Sequence, residues 1–155
     1  MNSLGMIIDV SHSDATTTLD TAKRTRRPIV ASHAGTRRIE DFERFLDDSE
    51  IVAIAETAGL VGLWPYHYGG HGPRDLDALM RYARYIADLV GTAHLCIGTD
   101  INGVPGMLAG FRRVNDVQLI AESLISAGFG ADDLAGIMGG NFMRVFEQAV
   151  PRSIQ

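Results

Sequence analysis

Four short apolar runs recur along the chain, and each is followed by a stretch in which apolar residues have helical spacing. The runs cover residues 5–11, 28–32, 59–64 and 94–99. They are continuous rather than alternating, which is typical of parallel strands that are buried on both faces. The pattern therefore predicts four consecutive parallel strand–helix units in an α/β fold.

The segments that follow the strands carry the start and stop signals of helices. Capping residues stand at their beginnings, and a glycine or proline follows most of their ends. A polar helical stretch is predicted between the first two strands. Further helices are predicted over residues 47–59, 75–90, 115–128 and 141–149, the last of them ending before Pro151. Four such units with right-handed crossovers form either a small doubly wound sheet or half of an eight-stranded barrel. No linker or composition break divides the chain, so we expect a single domain over residues 1–155.

Polar side chains follow three of the predicted strands. His12, His33 and Asp100 each come directly after an apolar run, at the end of the strand where active sites form in parallel α/β folds. Neighbouring strands lie about 4.8 Å apart, so the two imidazoles can converge on one ion such as zinc. Asp100 could be a further ligand or an acid/base residue. Histidines at strand ends also serve as capping or hydrogen-bonding residues, and the pattern alone leaves both interpretations open.

Composition and charge restrict the class of protein. Apolar residues make up 46% of the chain, and the formal net charge of −5 argues against a nucleic-acid partner. No apolar run approaches the roughly 20 residues of a membrane span, and no signal-peptide pattern is present. The sequence thus predicts a cytoplasmic protein without a membrane partner. Cys96, the single cysteine, is expected to be a small buried side chain in a reducing compartment.

Two further clusters have ordinary interpretations. The segment WPYHYGGHGP, residues 64–73, holds His67 and His71 four positions apart, but its glycines and prolines indicate a loop. We expect this loop to overhang the strand ends, with substrate contact or solvent exposure more favoured than a metal role. The basic cluster KRTRR, residues 23–27, is expected to close a helix, where cations interact well with the helix dipole. Phosphate binding is the less favoured alternative there.

Five motifs in order resemble one known family. They are LGMIIDVSH, then PIVASH with its histidine 21 positions after the first, RFL beginning eleven positions later, IGTDINGVP and GGNFMRVFE. This series resembles the C-terminal half of the membrane dipeptidase (renal dipeptidase) family of metallopeptidases, within the amidohydrolase superfamily of barrels. The resemblance covers essentially all 155 residues and favours half of a (β/α)8 barrel over a doubly wound sheet.

The resemblance implies a role for each candidate residue. His12 and His33 would be ligands of one ion in a two-zinc site, and Asp100 would be the acid/base residue that handles the attacking water. Arg44 would bind the terminal carboxylate of a dipeptide substrate, because a guanidinium forms two parallel hydrogen bonds with a carboxylate. The implied reaction is zinc-dependent hydrolysis of the peptide bond. Without the resemblance, Arg44 would be interpreted as a solvated surface charge.

The sequence departs from the family pattern in two ways. Residues 100–103 read Asp-Ile-Asn-Gly where the family commonly has Asp-Phe-Asp-Gly, so an amide replaces the second carboxylate. The family's first four strands supply a His-x-Asp pair and a glutamate that bridges the metals, and no such sequence precedes the first predicted strand. We therefore expect this chain to start in mid-protein and to supply ligands for one of two zinc ions. Its expected partner is a second copy or the absent N-terminal half.

Two other functions stay open on the sequence alone. One is another metal-dependent hydrolase of the superfamily, with an ester, lactone or phosphotriester substrate. The other is a non-catalytic fragment that keeps the family pattern. Arg44 separates the first of these from a dipeptidase, since a neutral ester does not require an arginine.

Overall fold

The computed structural model describes residues 1–150, and it confirms four parallel strands joined by helices. The strands are β1 (Ile8–Asp9), β2 (Ile29–Ala34), β3 (Leu60–Leu63) and β4 (Leu95–Ile97). They form one sheet in the order β1-β2-β3-β4, and every neighbouring pair is parallel. Among residues 1–150 this sheet is open, so that β1 and β4 each have one edge without a strand partner.

Six helices follow or connect the strands. They are α1 (Ala15–Arg24), α2 (Asp48–Glu56), α3 (Leu76–Val90), α4 (Val117–Ser126), α5 (Ala131–Ala135) and α6 (Asn141–Ala149). The predicted polar stretch corresponds to α1, the four further predicted helices correspond to α2, α3, α4 and α6, and the predicted end at Pro151 lies outside the described residues. The capping signals work as expected: Asp75 Oδ1 accepts the Ala78 N–H at 2.8 Å, and Asp47 forms a capping box with Glu50.

The strand boundaries differ from the prediction. β1 has two residues and β4 has three, so both are shorter than predicted, and His94 belongs to a short 3₁₀ turn, Thr92–His94, that precedes β4. β2 extends two residues beyond its predicted end, so His33 lies inside this strand rather than after it. The prediction also missed α5 and the π-helical turn Gly136–Gly140, through which α5 continues into α6.

The two faces of the sheet pack against different helices. One face packs against α2 and α3 and carries most of the buried apolar side chains, and α4 packs against α3. On the other face, a small cluster of Val30, Leu60 and Cys96 is covered by Val145 of α6. The expected burial of Cys96 is confirmed. α6 lies at the amino ends of β3 and β4, where Asn141 donates to the Leu95 carbonyl and Arg144 to the Ala58 carbonyl.

Two arginines hold α6 against the sheet. Arg27 Nη1 donates to the carbonyls of Gln148 and Ala149. Arg144 donates to the carbonyls of Ala58 and Ala93, each at 2.8 Å. The predicted role of the basic cluster 23–27 is confirmed for its first two residues, which lie in the last turn of α1.

Candidate active site

Three of the residues that the sequence singled out meet at the carboxyl ends of the strands. The Nε2 atoms of His12 and His33 lie 3.0 Å apart. Asp100 Oδ2 lies 3.7 Å from His33 Nε2. The chain thus brings two imidazoles and one carboxylate together from β2 and from the segments that follow β1 and β4.

His12 reaches this position through an unusual backbone conformation. It stands three residues beyond β1 with a φ of 68°, in the left-handed region. Such a conformation costs a residue other than glycine about 1–3 kcal/mol and is often found at functional sites. Val10 continues the pairing of β1 by donating to the Val30 carbonyl at 2.7 Å, and the Ser13 N–H closes a turn onto the Val10 carbonyl. This turn places His12 beside β2.

His33 reaches the same position through a bulge in β2. Between two aligned pairs the chain advances from Ala31 to Ala34 on β2, but only from Val61 to Leu63 on β3. The extra residue breaks the alternation of side chains, so that Ser32 and His33 both contact the end of β1. Two glycines make room for the bulge, Gly62 in β3 and Gly98 directly after β4, because a Cβ on either would overlap the Ser32 carbonyl.

A hydrogen-bond network fixes the His33 ring. His33 Nδ1 lies 2.9 Å from Ser32 Oγ, which lies 3.2 Å from Ser11 Oγ. Asp9 Oδ1 accepts the N–H groups of Ser11 at 2.9 Å and Ser32 at 3.0 Å. Partial desolvation by itself would raise the pKa of Asp9, but the hydrogen bonds from Ser32 and Ser11 outweigh it and lower this pKa below 3.8. With Nδ1 engaged by a hydroxyl, Nε2 of His33 is available as a ligand.

The protonation state of His33 suits metal binding. Desolvation lowers the pKa of His33 below 6.5, and the negative charge of Asp100 only partly opposes this effect. His33 is therefore neutral at pH 7, and its contact with Asp100 is not an ion pair under these conditions. Neutral imidazole is the form that binds metal ions.

Asp100 lies in a tight turn after β4. Its φ is 46° and that of Asn102 is 68°, while the Gly103 N–H donates to the Asp100 carbonyl at 2.9 Å. A Cβ on Gly103 would collide with the Asp100 carboxylate. The Asp-Ile-Asn-Gly sequence thus builds a turn that presents the Asp100 side chain to His33.

Arg44 lies on the connection between β2 and α2 and is partly buried. Its Nη2 atom is buried and has no hydrogen-bond partner among residues 1–150, and its guanidinium carbon lies 5.5 Å from the ring centre of Trp64. Desolvation lowers the pKa of Arg44, and the charge of Asp100 opposes this effect. Arg44 is therefore partly desolvated, unlike a fully solvated surface arginine.

The imidazole pair fits one zinc ion. Two nitrogen ligands of a tetrahedral zinc, each at about 2.0–2.1 Å, stand roughly 3.3 Å from one another, and the two Nε2 atoms are 3.0 Å apart. Among residues 1–150, no group of three or more His, Cys, Asp or Glu side chains is arranged to hold a metal. Within the described part of the chain, the donor set thus fits a partial site of two imidazoles.

His67 and His71, in the segment over residues 64–73, form hydrogen bonds away from the imidazole pair. His67 Nδ1 pairs with the Gly72 carbonyl at 2.9 Å, within the loop itself. His71 Nδ1 pairs with Glu40 Oε1 at 2.7 Å. Glu40 also accepts the Gly72 N–H at 3.0 Å and the Tyr82 hydroxyl at 3.3 Å. Glu40 therefore ties this loop to the connection that carries Arg44.

Sequence reasoning missed several residues of the site. Asp9 and Ser11 stand in the first motif beside His12, and their position at a strand end was a usable signal. Trp64, the single tryptophan, directly follows β3 and packs edge-on against His33, with ring centroids 5.2 Å apart. No local signal marks Glu40, since its partners come from distant segments.

Comparison with known proteins identifies the family. The model of the membrane dipeptidase family, peptidase family M19, matches residues 1–154. The chain belongs to this family. Dipeptidase aclJ of Aspergillus oryzae is 30% identical over 150 residues, which are 94% of this chain and 35% of that protein. The resemblance inferred from the five motifs is confirmed.

Two solved structures share the fold of these four units. A metallopeptidase from Rhodobacter sphaeroides, liganded with a phosphinate mimic of the dipeptide L-Ala-D-Ala, matches with a TM-score of 0.88 and 21% identity. The probable dipeptidase PvdM from Pseudomonas aeruginosa matches with a TM-score of 0.87 and 23% identity. Both matches cover 96% of this chain, but only 44% and 51% of those chains.

This chain covers only part of the length of the proteins that it matches. The chain spans about a third of the Aspergillus relative and about half of the two solved chains. In residues 1–150 no helix combines the length and apolar character that a membrane crossing requires.

Proposed function

We propose that this chain supplies the His12, His33, Asp100 and Arg44 part of the active site of a zinc-dependent dipeptidase. The observation that carries the proposal is the convergence of the two Nε2 atoms, with the Asp100 carboxylate beside them. Membership of the dipeptidase family supports the reaction class. The finer assignments rest on the geometry and chemistry of these four residues.

His12 and His33 would hold one zinc ion through their Nε2 atoms. When bound, zinc lowers the pKa of a water molecule and polarises the carbonyl of the scissile bond. Ser32 keeps the His33 ring in the orientation that leaves Nε2 free, through its contact with Nδ1 at 2.9 Å. A catalytic zinc usually has three protein ligands and a water molecule, and no third protein ligand joins the two imidazoles among residues 1–150, so the third would come from a second component.

Asp100 would transfer the proton of the hydrolysis. Its carboxylate takes a proton from the attacking water as the water oxygen bonds to the carbonyl carbon. The same proton then goes to the nitrogen of the leaving amino acid as the C–N bond breaks. The turn at residues 100–103 holds the carboxylate 3.7 Å from His33 Nε2, close enough to serve the reacting atoms.

Arg44 would bind the C-terminal carboxylate of the dipeptide. Its buried Nη2 has no partner within the described residues, and a carboxylate accepts well from a guanidinium. This observation favours a substrate with a free carboxylate over a neutral ester, lactone or phosphotriester. The alternative hydrolase functions gain no comparable support.

A second component would complete the site. The outer edges of β1 and β4 lack strand partners among residues 1–150, and open edges of this kind pair with further strands. The missing component would be the additional strand–helix units that longer relatives have, supplied by an N-terminal half or imitated by a second copy. Only the former carries the bridging glutamate that the family resemblance implies.

Complementation tests the proposal. The N-terminal half of a related dipeptidase is co-expressed with this chain, and hydrolysis of L-Ala-D-Ala is measured with and without added zinc. We expect zinc-dependent hydrolysis of the dipeptide in the complex and near-background rates for the chain alone. Asp100→Asn should remove the activity of the complex without preventing its assembly. An inactive complex that binds zinc, or ordinary enzyme rates of about 1–10³ s⁻¹ from the chain alone, would contradict the proposal.

A further inference from the structure

Trp64 lies beside both His33 of the imidazole pair and Arg44. The side chain is only 5% exposed and stacks on Tyr66, with ring centroids 4.2 Å apart and an interplanar angle of 14°. Its ring meets His33 edge-on at 5.2 Å, and the guanidinium carbon of Arg44 lies 5.5 Å from its centre. One rigid side chain therefore contacts both ends of the candidate site.

Trp64 and Arg44 also share an unusual property. Four buried side-chain atoms of the described residues have no hydrogen-bond partner, and two of them are Trp64 Nε1 and Arg44 Nη2. Both are N–H donors and neither nitrogen can accept. Buried donors are nearly always paired, because an unpaired one loses its hydration without compensation. Two such donors on adjacent side chains indicate that an acceptor group belongs beside them.

We propose that Trp64 is a specificity-determining residue whose indole N–H donates to the C-terminal carboxylate of the substrate, next to Arg44. This inference rests on the proposed function, because it takes the carboxylate to be that of a dipeptide. A carboxylate has two acceptor oxygens and can satisfy both donors. A C-terminal amide has one oxygen, and its NH₂ group would face the second donor. The pair therefore selects free dipeptides against amidated ones.

The packing of Trp64 makes this donor effective. The indole is fixed between Tyr66 and His33 before any ligand arrives, so little side-chain entropy is lost on binding. The neighbouring guanidinium interacts favourably with the aromatic ring, which keeps Arg44 next to the indole.

Replacement of one atom tests the proposal. Because Trp64 is the single tryptophan of the chain, growth with β-(3-benzothienyl)alanine replaces the indole N–H by sulfur at this position alone. Binding of L-Ala-D-Ala and of its C-terminal amide is measured by calorimetry on the metal-free chain. We expect the replacement to weaken binding of the free-acid dipeptide roughly 10- to 100-fold. The affinity for the amidated dipeptide should not change. Arg44→Gln should remove most of the preference for the acid.

A matched control keeps the donor. Incorporation of 5-fluorotryptophan changes the ring but retains its N–H, and it should preserve the preference for the acid. An equal loss of affinity for the free acid and the amide would show that Trp64 contributes only packing, and it would overturn the proposal. So would unchanged acid affinity, or a wild-type chain that binds acid and amide alike or binds neither. Zinc binding and hydrolysis are absent from this assay, so failure of the proposed metal chemistry would not affect its result.

Discussion

His12 and His33 stand 21 positions apart in the chain, yet their Nε2 atoms lie 3.0 Å from each other at the ends of neighbouring parallel strands. Two different local features bring them together. His12 itself has a left-handed backbone conformation after β1, and a bulge in β2 positions His33. The pair is therefore a product of tertiary structure, and each imidazole depends on the other strand for its position.

Zinc binding should require both imidazoles. The chain alone should bind at most one zinc ion, and His12→Ala or His33→Ala should each weaken that binding by at least about 100-fold, because loss of a ligand costs more than loss of a supporting contact. Competition with a chromophoric chelator measures the affinity. His71→Gln is the matched control, since His71 pairs with Glu40 away from the site. Two tightly held zinc ions per chain, or indifference to both alanine substitutions, would count against this assignment.

Gly98→Ala should disturb the site without touching a candidate ligand. The new Cβ would overlap the Ser32 carbonyl, so the bulge that carries His33 must shift. We expect a loss of about 1–3 kcal/mol in the free energy of unfolding, as for other overpacked positions, together with weaker zinc binding. Urea denaturation and chelator competition give the two values. Gly130→Ala is the control: a Cβ there is 3.5 Å from its nearest neighbour, and it should change stability by less than about 1 kcal/mol.

Glu40 should stabilise the contact between the two connections near the site. Glu40→Ala leaves the Gly72 N–H and the buried Tyr82 hydroxyl without an acceptor, which should lower the free energy of unfolding by about 1–3 kcal/mol. Glu40→Gln keeps one acceptor oxygen and should cost less. Thermal or urea unfolding measures both variants, with the exposed Glu43→Ala as a control. Equal stability of the two Glu40 variants would show that these hydrogen bonds contribute little.

Cys96 should make stability depend on alkaline pH. Burial raises the pKa of its thiol from 9.0 to about 12, so the unfolded chain loses this proton at lower pH than the folded chain does. The contribution of Cys96 is fully present below pH 9 and is lost as the pH rises toward 12. Urea denaturation between pH 8 and 11 should therefore show a steeper loss of stability in the wild type than in Cys96→Ala. Parallel pH profiles for the two proteins would contradict the prediction.

The strand-end residues could be predicted because their position follows from topology. Parallel strands place their carboxyl ends at one edge of a sheet, so His12, His33 and Asp100 were expected to meet there. Their chemical roles did not follow from that pattern, since a histidine at a strand end also suits a structural hydrogen bond. The family resemblance supplied those roles, and it alone identified Arg44.

The remaining features depend on contacts between distant segments. The bulge at Ser32 needs the space left by Gly62 in β3 and Gly98 directly after β4, which no pattern within residues 28–32 reveals. The pairing of Glu40 with His71 joins two connections 31 positions apart. The Trp64 N–H has no acceptor among residues 1–150, which likewise becomes visible only when every neighbouring acceptor has been located.

The contacts that hold α6 against the sheet affect when the chain can fold during its synthesis. The carbonyls that Arg27 binds belong to residues 121 and 122 positions later in the chain, and α6 also covers one apolar face of the sheet. While a ribosome makes the chain, β1 to β4 emerge long before this cover exists. Nascent chains arrested before residue 141 should therefore stay sensitive to protease, and the cooperative folding of this unit should wait until α6 has left the exit tunnel.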